Sequence, residues 1–370
     1  MNGLDDVIAA DTILSDADGQ AGTLVIRGHS LDELAGRSTY EEVLALLWNG
    51  LFEDAPDRSA VPALLGRARV EAFTQIVRSE VQWLPADPVE ALRVFLARME
   101  DGENLTAALR LVAGTAVFTA AVLRLRRGLD PIAPDARAGH SADLLRMTSG
   151  EPPTPQQTAA LDRYLVTVSD HGLNASTFAA RVVASTRAGL TSSVIAALSA
   201  LKGPLHGGAP GPVLDCLDGV GSPERALPWL QDKLARGERL MGFGHRIYRV
   251  RDPRADSVKA ALQTLIRGAQ VDPARLRLAE AVEQAALRLL ALKKPDRPLQ
   301  TNVEFYTALL LEALKFPREA FTCVFAVGRV GGWIAHAREQ ITGGRLIRPR
   351  SRYVGPRPKA SSPGPILARG

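Results

Sequence analysis

The sequence predicts a mainly all-α protein of two helical lobes with a small β-hairpin near its N-terminus. Three observations predict it: long apolar runs of helical period that stop at glycine, one short β-branched stretch near the start, and a change of texture between about residues 209 and 318. With 370 residues, 46% hydrophobic and 23% charged side chains, the chain has an ordinary globular composition and too much length for one small core.

TILSDADGQAGTLVI, residues 12–26, sets two short β-branched segments around DADG and GQAG, the pattern of a hairpin. LDELAGRSTYEEVLALLWNG reads as a helix ending on glycine, and ALRLVAGTAVFTAAVLRLRRG adds a basic last turn before its glycine stop. A Pro-rich loop at 152–155 leads into a helix started by Thr154 and Pro155. From about 209 to 318 the elements are shorter and broken by Pro and Gly, and they include the charged amphipathic segment PARLRLAEAVEQAALRLLALKK. A long apolar helix at 321–338 follows, then a Pro-, Arg- and Gly-rich tail whose end, PRPKASSPGPILARG, is expected to be mobile. The expected division is a discontinuous large lobe, 1–208 with 319–370, and a small lobe, 209–318.

Composition also narrows the function classes. The net charge of +5 comes from an arginine-rich chain with acidic residues interspersed, which suits anionic small molecules as readily as nucleic acid. The basic tail RLIRPRSRYVGPRPK interleaves a single aromatic, Tyr353, and lacks a recognised nucleic-acid-binding fold around it, so no nucleic-acid role is expected. The uncharged runs Leu111 to Leu123 and Ala188 to Leu201 are shorter than the roughly 18 to 20 residues that span a bilayer, so they read as buried helices and no membrane partner is expected. Cys216 and Cys323 lack CxxC or Cys/His ligand spacing, which argues for reduced core residues and no metal. MNGLDDVIAA has no charged-then-apolar leader, and the expected compartment is the cytoplasm.

Five stretches place polar residues that packing alone does not call for. In LKGPLHGGAP, His206 is either a turn histidine or a ring presented to a ligand that the glycines let approach. SDHGLNASTFAARVVAST puts His171 just before an Asn or Ser helix cap. MGFGHRIYRVRDPRAD carries His245 beside Gly242 and Gly244 and is followed by Arg246, Arg249, Arg251 and Arg254, a basic loop or an anion site. In TNVEFYTALLLEALKF, Thr301 and Glu304 have the spacing of a capping box, and a carboxylate near a helix N-terminus is favoured in its ionised form, as a general base requires. In FTCVFAVGRVGGWIAHAREQ, Arg329 is the only charge from Phe321 to Ile334 and should snorkel or meet an anion, whereas His336 reads as a packed core histidine. Three histidines in glycine-rich settings, a carboxylate and buried arginines together point to acid–base chemistry on a small polyanion.

DHGLNASTFAARVVAST, LKGPLHGGAP, MGFGHRIYRVRDPRA, TNVEFYTALLLEAL and FAVGRVGGWIAHAREQ followed by LIRPRSRYVG resemble, in order, the signature segments of citrate synthases. DADGQAGTLVIRGHSLDELAGRSTYEEVLALLWNG is similar to that family's opening hairpin and first helix, so the likeness covers nearly the whole chain and is weakest over about 51–150. It implies a citrate-synthase-like two-domain helical fold and an acyltransferase of the tricarboxylic acid cycle that condenses acetyl-CoA with oxaloacetate and water to citrate and CoA. It implies Glu304 as the base for the methyl proton, His206 as a neutral donor to the thioester oxygen, and His245 as the residue that polarises the ketone and protonates the new alkoxide. His171, Arg254 and Arg329 match residues that hold oxaloacetate. Arg348 matches an arginine reaching the neighbouring subunit's site, which implies a homodimer. Arg249 and the backbone of Gly242, Phe243 and Gly244 match a CoA-binding surface. No cofactor and no metal are implied, and the small lobe is expected to close over oxaloacetate.

Three positions depart from the commonest pattern: Glu304 where many members carry Asp, Gly172 where an acidic residue often follows the histidine, and Pro210 where Asn or Asp is common. The alternatives are a 2-methylcitrate synthase using propionyl-CoA, since one methylene in a pocket is worth only about 1–3 kcal/mol, and a catalytically weak carboxylate-binding paralogue.

Overall fold

The computed structural model describes residues 7–54, 57–76, 84–206, 210–268, 271–296 and 298–356. Among them lie fifteen α-helices and one antiparallel sheet of three short strands. Strands β1 (Ser15–Asp18) and β2 (Thr23–Ile26) form the expected hairpin, and the Asp18 carboxylate closes its turn by accepting the Gln20 and Ala21 N–H groups. A two-residue β3 (His29–Ser30) extends the sheet, because Arg27 and Gly28, at φ 49° and 84°, turn the chain back.

The stretch 31–50 forms two helices rather than one, α1 (Leu31–Leu34) and α2 (Tyr40–Trp48). Gly36 leaves the helical region at φ 83°, and Thr39 starts afresh: its hydroxyl accepts the Glu42 N–H while the Glu42 carboxylate accepts the Thr39 N–H. Helices α3 (Val61–Phe73), α4 (Pro88–Ala97), α5 (Leu105–Leu125) and α6 (His140–Ser149) follow. Helix α7 (Pro155–Val168) starts as its sequence indicates, with Thr154 as cap, Pro155 in the first turn and Gln157 completing a capping box. The remaining helices are α8 (Ala175–Ala184), α9 (Leu190–Leu201), α10 (Pro210–Val220), α11 (Ala226–Ala235), α12 (Pro253–Arg267), α13 (Pro273–Lys293), α14 (Val303–Ala313) and α15 (Phe321–Gly343). The tail from residue 357 and Gly207–Ala209 of LHGGAP lie outside the described residues.

Helix α15 is the axis of the core and packs on α2, α4, α5, α7, α8 and α9. Contrary to the length estimate from uncharged runs, Leu105–Leu125 and Arg318–Gly343 are long and apolar enough to cross a bilayer, yet 83% and 89% of their most apolar windows are buried within the fold. They serve as core helices. Gly332 lets α15 press against the chain leaving α7, since a Cβ there would overlap the Ser169 carbonyl. That approach sets Arg329 beside Val168 and Asp170. Helix α11 packs on α13, and α10 on α14 and α13, while α12 lies between α14 and α7. Arg318, just before α15, pairs with Asp215 and Asp218 of α10, and Arg275 of α13 pairs with Asp218 and Glu312.

Candidate active site

The segment 242–252 and the start of α14 are joined as a short two-stranded ribbon. Phe243 bridges Thr301, the Gly244 N–H donates to Gln300 O, and the Asn302 N–H donates to Gly242 O. Gly242, at φ 88°, is required twice over: the left-handed backbone suits glycine, and a Cβ would press into the Phe305 ring. The ribbon brings His245 and Glu304 into one neighbourhood although 58 residues separate Asn302 from Gly244, to whose carbonyl the Asn302 side chain also donates.

The Thr301–Glu304 capping box predicted from spacing does not form. The cap residue of α14 is Asn302, and its side chain makes no capping bond. Asp252 from the ribbon accepts the Val303 N–H at 3.1 Å instead, and the Thr301 hydroxyl donates to Glu283 of α13 at 2.6 Å. Glu304 is thereby freed from the capping box, and its Oε2 is buried without a hydrogen-bond partner. Burial raises its pKa above the ordinary carboxylate value, opposed by the Arg254 charge. Desolvation therefore outweighs the helix N-terminus, which was expected to favour the ionised form. A carboxylate lifted in this way would, as a base, be better matched to a weak carbon acid.

Asp252 also organises Arg254. Both are buried, and the carboxylate takes the guanidinium through Nε and Nη2 at 3.0 and 2.8 Å. The Arg254 Nη2 lies 3.1 Å from His245 Nε2, and His245 Nδ1 accepts the Ile247 and Tyr248 N–H groups at 3.1 Å each. Those backbone donors place the ring proton on Nε2, so two N–H donors converge beside Arg254, a geometry made for an anionic or carbonyl oxygen. Burial, then the Arg254 charge, pushes the His245 pKa down to about 4, so the ring is neutral.

His206 is neutral for the same first reason, burial, helped by the charge of Arg329; its pKa falls to about 4. Its Nε2 lies 2.8 Å from Ser176 Oγ and accepts the Ser176 N–H at 3.3 Å, which leaves the ring proton on Nδ1. Ser176 is fixed in turn by Asn174, the cap of α8, and by the Trp333 indole N–H. His171 packs edge-on against His245 with ring centres 5.5 Å apart, and its Nε2 lies 3.1 Å from the Tyr248 hydroxyl. Burial, then the charges of Arg254 and Arg329, holds its pKa well below the ordinary value. The two arginine charges are thus felt by both His171 and His206, so these groups share one electrostatic neighbourhood.

Arg329 neither snorkels nor meets a carboxylate. It is 1% exposed, donates through Nε to the Val168 carbonyl, stacks over Phe325, and has no partner for its buried Nη2. Burial lowers its pKa to about 10. The Asp170 Oδ2 is engaged by Ser15 and by His336 Nε2 at 3.2 Å, its buried Oδ1 has no hydrogen-bond partner, and its charge acts on Arg329 without a direct bond, while Arg181 meets His336 Nδ1 at 3.0 Å. His336 is therefore a hydrogen-bonded core histidine, as its setting predicts.

Among the other predicted residues, Phe243 packs on Phe305 and Arg249 is exposed, its N–H bound to the Gly19 carbonyl at the hairpin tip. Arg348 is not brought to this cluster of its own chain. It is exposed, and the neighbouring Ile347 N–H bonds to Ser185 at the far end of α8, about 15 Å along the helix from the end that holds Asn174 and Ser176. The sequence reading missed Ser176, Tyr248, Asp252 and Glu283. Of these, Asp252 had a local signal, an Asp before Pro253 at a helix start. Both cysteines are free, and among the described residues no group of three or more His, Cys, Asp or Glu side chains could hold a metal ion.

The family described as citrate synthase, C-terminal domain, matches residues 3–350. A citrate synthase of Haloferax volcanii is 38% identical over 368 residues, covering 95% of each chain. A 2-methylcitrate synthase of Mycobacterium tuberculosis is 35% identical over 95% of this chain and 90% of its own. A citrate synthase from Thermoplasma acidophilum, solved as a ternary complex with carboxymethyl coenzyme A and oxaloacetate, superposes with a TM-score of 0.85 at 28% identity, covering 98% of this chain and 97% of that one.

Proposed function

The chain belongs to the citrate synthase family, whose members are acyltransferases, and from that premise we propose that it condenses acetyl-CoA with oxaloacetate and water to give citrate and CoA. What supports the reading is a buried Glu304 carboxylate with one unpartnered oxygen that feels the charge of buried Arg254, the same charge that acts on the neutral rings of His206 and His245. Glu304 removes a methyl proton from the acyl-CoA while the His206 Nδ1–H donates to the thioester oxygen, so charge develops against a donor already in place. The enol carbon attacks the ketone carbon of oxaloacetate, and the His245 Nε2–H, beside Arg254, supplies the proton to the alkoxide. Water then cleaves the citryl thioester. The oxaloacetate carboxylates are held by Arg254 and Arg329, with His171 alongside, and CoA by Arg249 and the backbone of Gly242, Phe243 and Gly244.

We further propose that residues 209–318 form the small lobe that closes over oxaloacetate, against a large lobe of 1–208 and 319–370. The packing of α11 on α13, and of α10 on α14 and α13, supports this division, with α12 as the shared contact. The active unit is a homodimer in which Arg348 serves the partner's site, which its exposure and its distance from its own cluster support. The reaction needs no metal or cofactor, since arginine meets the anions and the substrates carry the chemistry. The likeness to a 2-methylcitrate synthase at 35% identity makes propionyl-CoA the competing acyl donor.

The test is release of CoA by the purified protein with oxaloacetate, comparing kcat/KM for acetyl-CoA and propionyl-CoA. A preference of tenfold or more for acetyl-CoA is expected. The opposite preference moves the chain to the methylcitrate reaction, and oxaloacetate binding without CoA release from either donor makes it a binding paralogue.

A further inference from the structure

Helix α13 is amphipathic, and nothing in its sequence sets Glu283 apart from its other acidic residue, Glu280. The structure does. Glu283 is 6% exposed, and its two oxygens collect three donors from two separate segments. Oε1 accepts the Thr301 hydroxyl at 2.6 Å and Arg251 Nη1 at 2.7 Å, and Oε2 accepts the Tyr306 hydroxyl at 2.5 Å. Thr301 and Tyr306 flank Glu304 on either side, and Arg251 lies between His245 and Arg254. The remaining ties between these segments come from the segments themselves, the ribbon bonds and the contacts of Asp252 with Thr301 and Val303. Glu283 braces both by hydrogen bonds from a third element.

We propose that Glu283 is a positioning residue that sets the aim of the Glu304 carboxylate relative to His245, by clamping both flanks of Glu304 and the Arg251 loop to α13. This rests on the reading of Glu304 as the base. The carboxylate is suited to the task because it is ionised: burial alone would raise its pKa, but the bonds from Thr301, Tyr306 and Arg251 together bring it below the ordinary value. A second contact ties the same helices, since Lys259 of α12 pairs with Glu280 of α13 at 2.8 Å and lies over the Tyr306 ring. Glu280 reaches neither flank of Glu304 through a hydrogen bond of its own, which makes it the control.

Glu283→Gln keeps the shape of the side chain and removes its charge, and at Oε2 replaces an acceptor with a donor. A misplacement of about 1 Å can cost on the order of a hundredfold in rate, so kcat is expected to fall roughly ten- to a hundredfold. Oxaloacetate affinity should stay within about threefold, because the residues proposed to hold it are retained. The decisive readout is the deuterium isotope effect on kcat with methyl-deuterated acetyl-CoA. It should rise in Glu283→Gln, because a misaimed base slows proton abstraction in particular, and it should stay at the wild-type value in Glu280→Gln. Tyr306→Phe and Thr301→Val, each removing one donor to Glu283, should move the isotope effect the same way, and they carry the test if Glu283→Gln does not fold.

A wild-type protein that releases no CoA would remove the reading of Glu304 on which this rests. An active wild type would overturn the clamp itself if the folded variants kept kcat, or lost it with an unchanged isotope effect. A loss shared equally by Glu280→Gln would do the same.

Discussion

Arg254 and Arg329 are both buried, but the two halves of the site hold them in different ways. In the half built on the 242–252 segment and α14, Arg254 is neutralised on the spot by both oxygens of Asp252. In the half built on α7, α8 and α15, Arg329 has a main-chain carbonyl and no partner for its Nη2. A paired guanidinium orients its neighbours, whereas an unpaired buried one is a standing site for an anion that costs the fold stability until it is filled. The contrast extends to the acids. Asp252 and Glu283 are tied up by donors, while Glu304 between them keeps an oxygen unpartnered.

The largest test of this contrast is Glu304→Gln. With the proposed base removed, kcat should fall roughly a thousandfold. The melting temperature should change by no more than a few degrees, because Oε2 has no hydrogen-bond partner and desolvation outweighs the favourable Arg254 charge. A fall of less than tenfold in a folded variant would show that the unpartnered carboxylate is not the base.

Next come the two arginines, whose substitutions should separate binding from stability. Arg329→Gln should raise KM for oxaloacetate about 10- to 100-fold, the worth of a charge-assisted bond, without lowering stability. Arg254→Gln leaves the buried Asp252 uncompensated and should destabilise the fold by about 3–5 kcal/mol, read by denaturant unfolding alongside oxaloacetate titration. Equal stability losses in the two variants would erase the distinction between the halves.

Smaller effects should appear with pH. His206 and His245, at about 4 in the fold against an ordinary value of 6.5, resist protonation when folded. The unfolded chain then binds more protons between about pH 6.5 and 4, so the contribution of each ring to stability is lost as pH falls through that window, at about 1.4 kcal/mol per pH unit. Because both rings are already neutral, the acid limb of kcat/KM should belong to Glu304, whose pKa is raised: activity falls as the pH drops below that carboxyl's pKa. His206→Asn should lower the plateau without moving the limb. A limb near 6.5 that disappears in His206→Asn would mean that this half of the site holds a charged imidazole.

The two halves also differ in how far the sequence reveals them. Local chemistry announces α7, whose Thr154, Pro155 and Gln157 take the places their order suggests. It announces the setting of His336 for the same reason, a polar ring on an apolar helix with few options. The break at Gly36 was written in the same code, since Thr39 and Glu42 form a second capping box inside what reads as one helix. Thr301 and Glu304 have equally good capping spacing, yet Asp252 and Glu283, distant in sequence, offer better partners. Spacing along a chain registers competition between neighbours, and it is silent when a carboxylate from another element takes the donor first. The loop-built half depends on such distant partners where it meets α14 and α13, through Asp252 to Val303 and Glu283 to Thr301, Tyr306 and Arg251. That is why Glu304 could be picked out by type while the bonds that orient its flanks could not.

The smallest expected effect belongs to one of two charges that the single chain leaves in solvent. Arg249 and Arg348 are both exposed, and exposed charge contacts are worth about 0.2–1 kcal/mol. Arg249→Ala should therefore raise KM for the acyl-CoA by no more than about fivefold with kcat unchanged, since a CoA phosphate met at the surface stays solvated. Arg348 begins from the same exposure and should behave differently, because docking in the partner's site would desolvate it and restore the full worth of a charge-assisted bond. If the active unit is the proposed homodimer, Arg348→Ala should raise KM for oxaloacetate more than tenfold. Mixing it with Glu304→Gln should restore activity, because one site of each mixed dimer then holds an intact Glu304 and the other subunit's Arg348. If both arginines give the same few-fold effect and mixing restores nothing, each site is complete within one chain, and the α8 and α15 half closes on an anion without help from a second subunit.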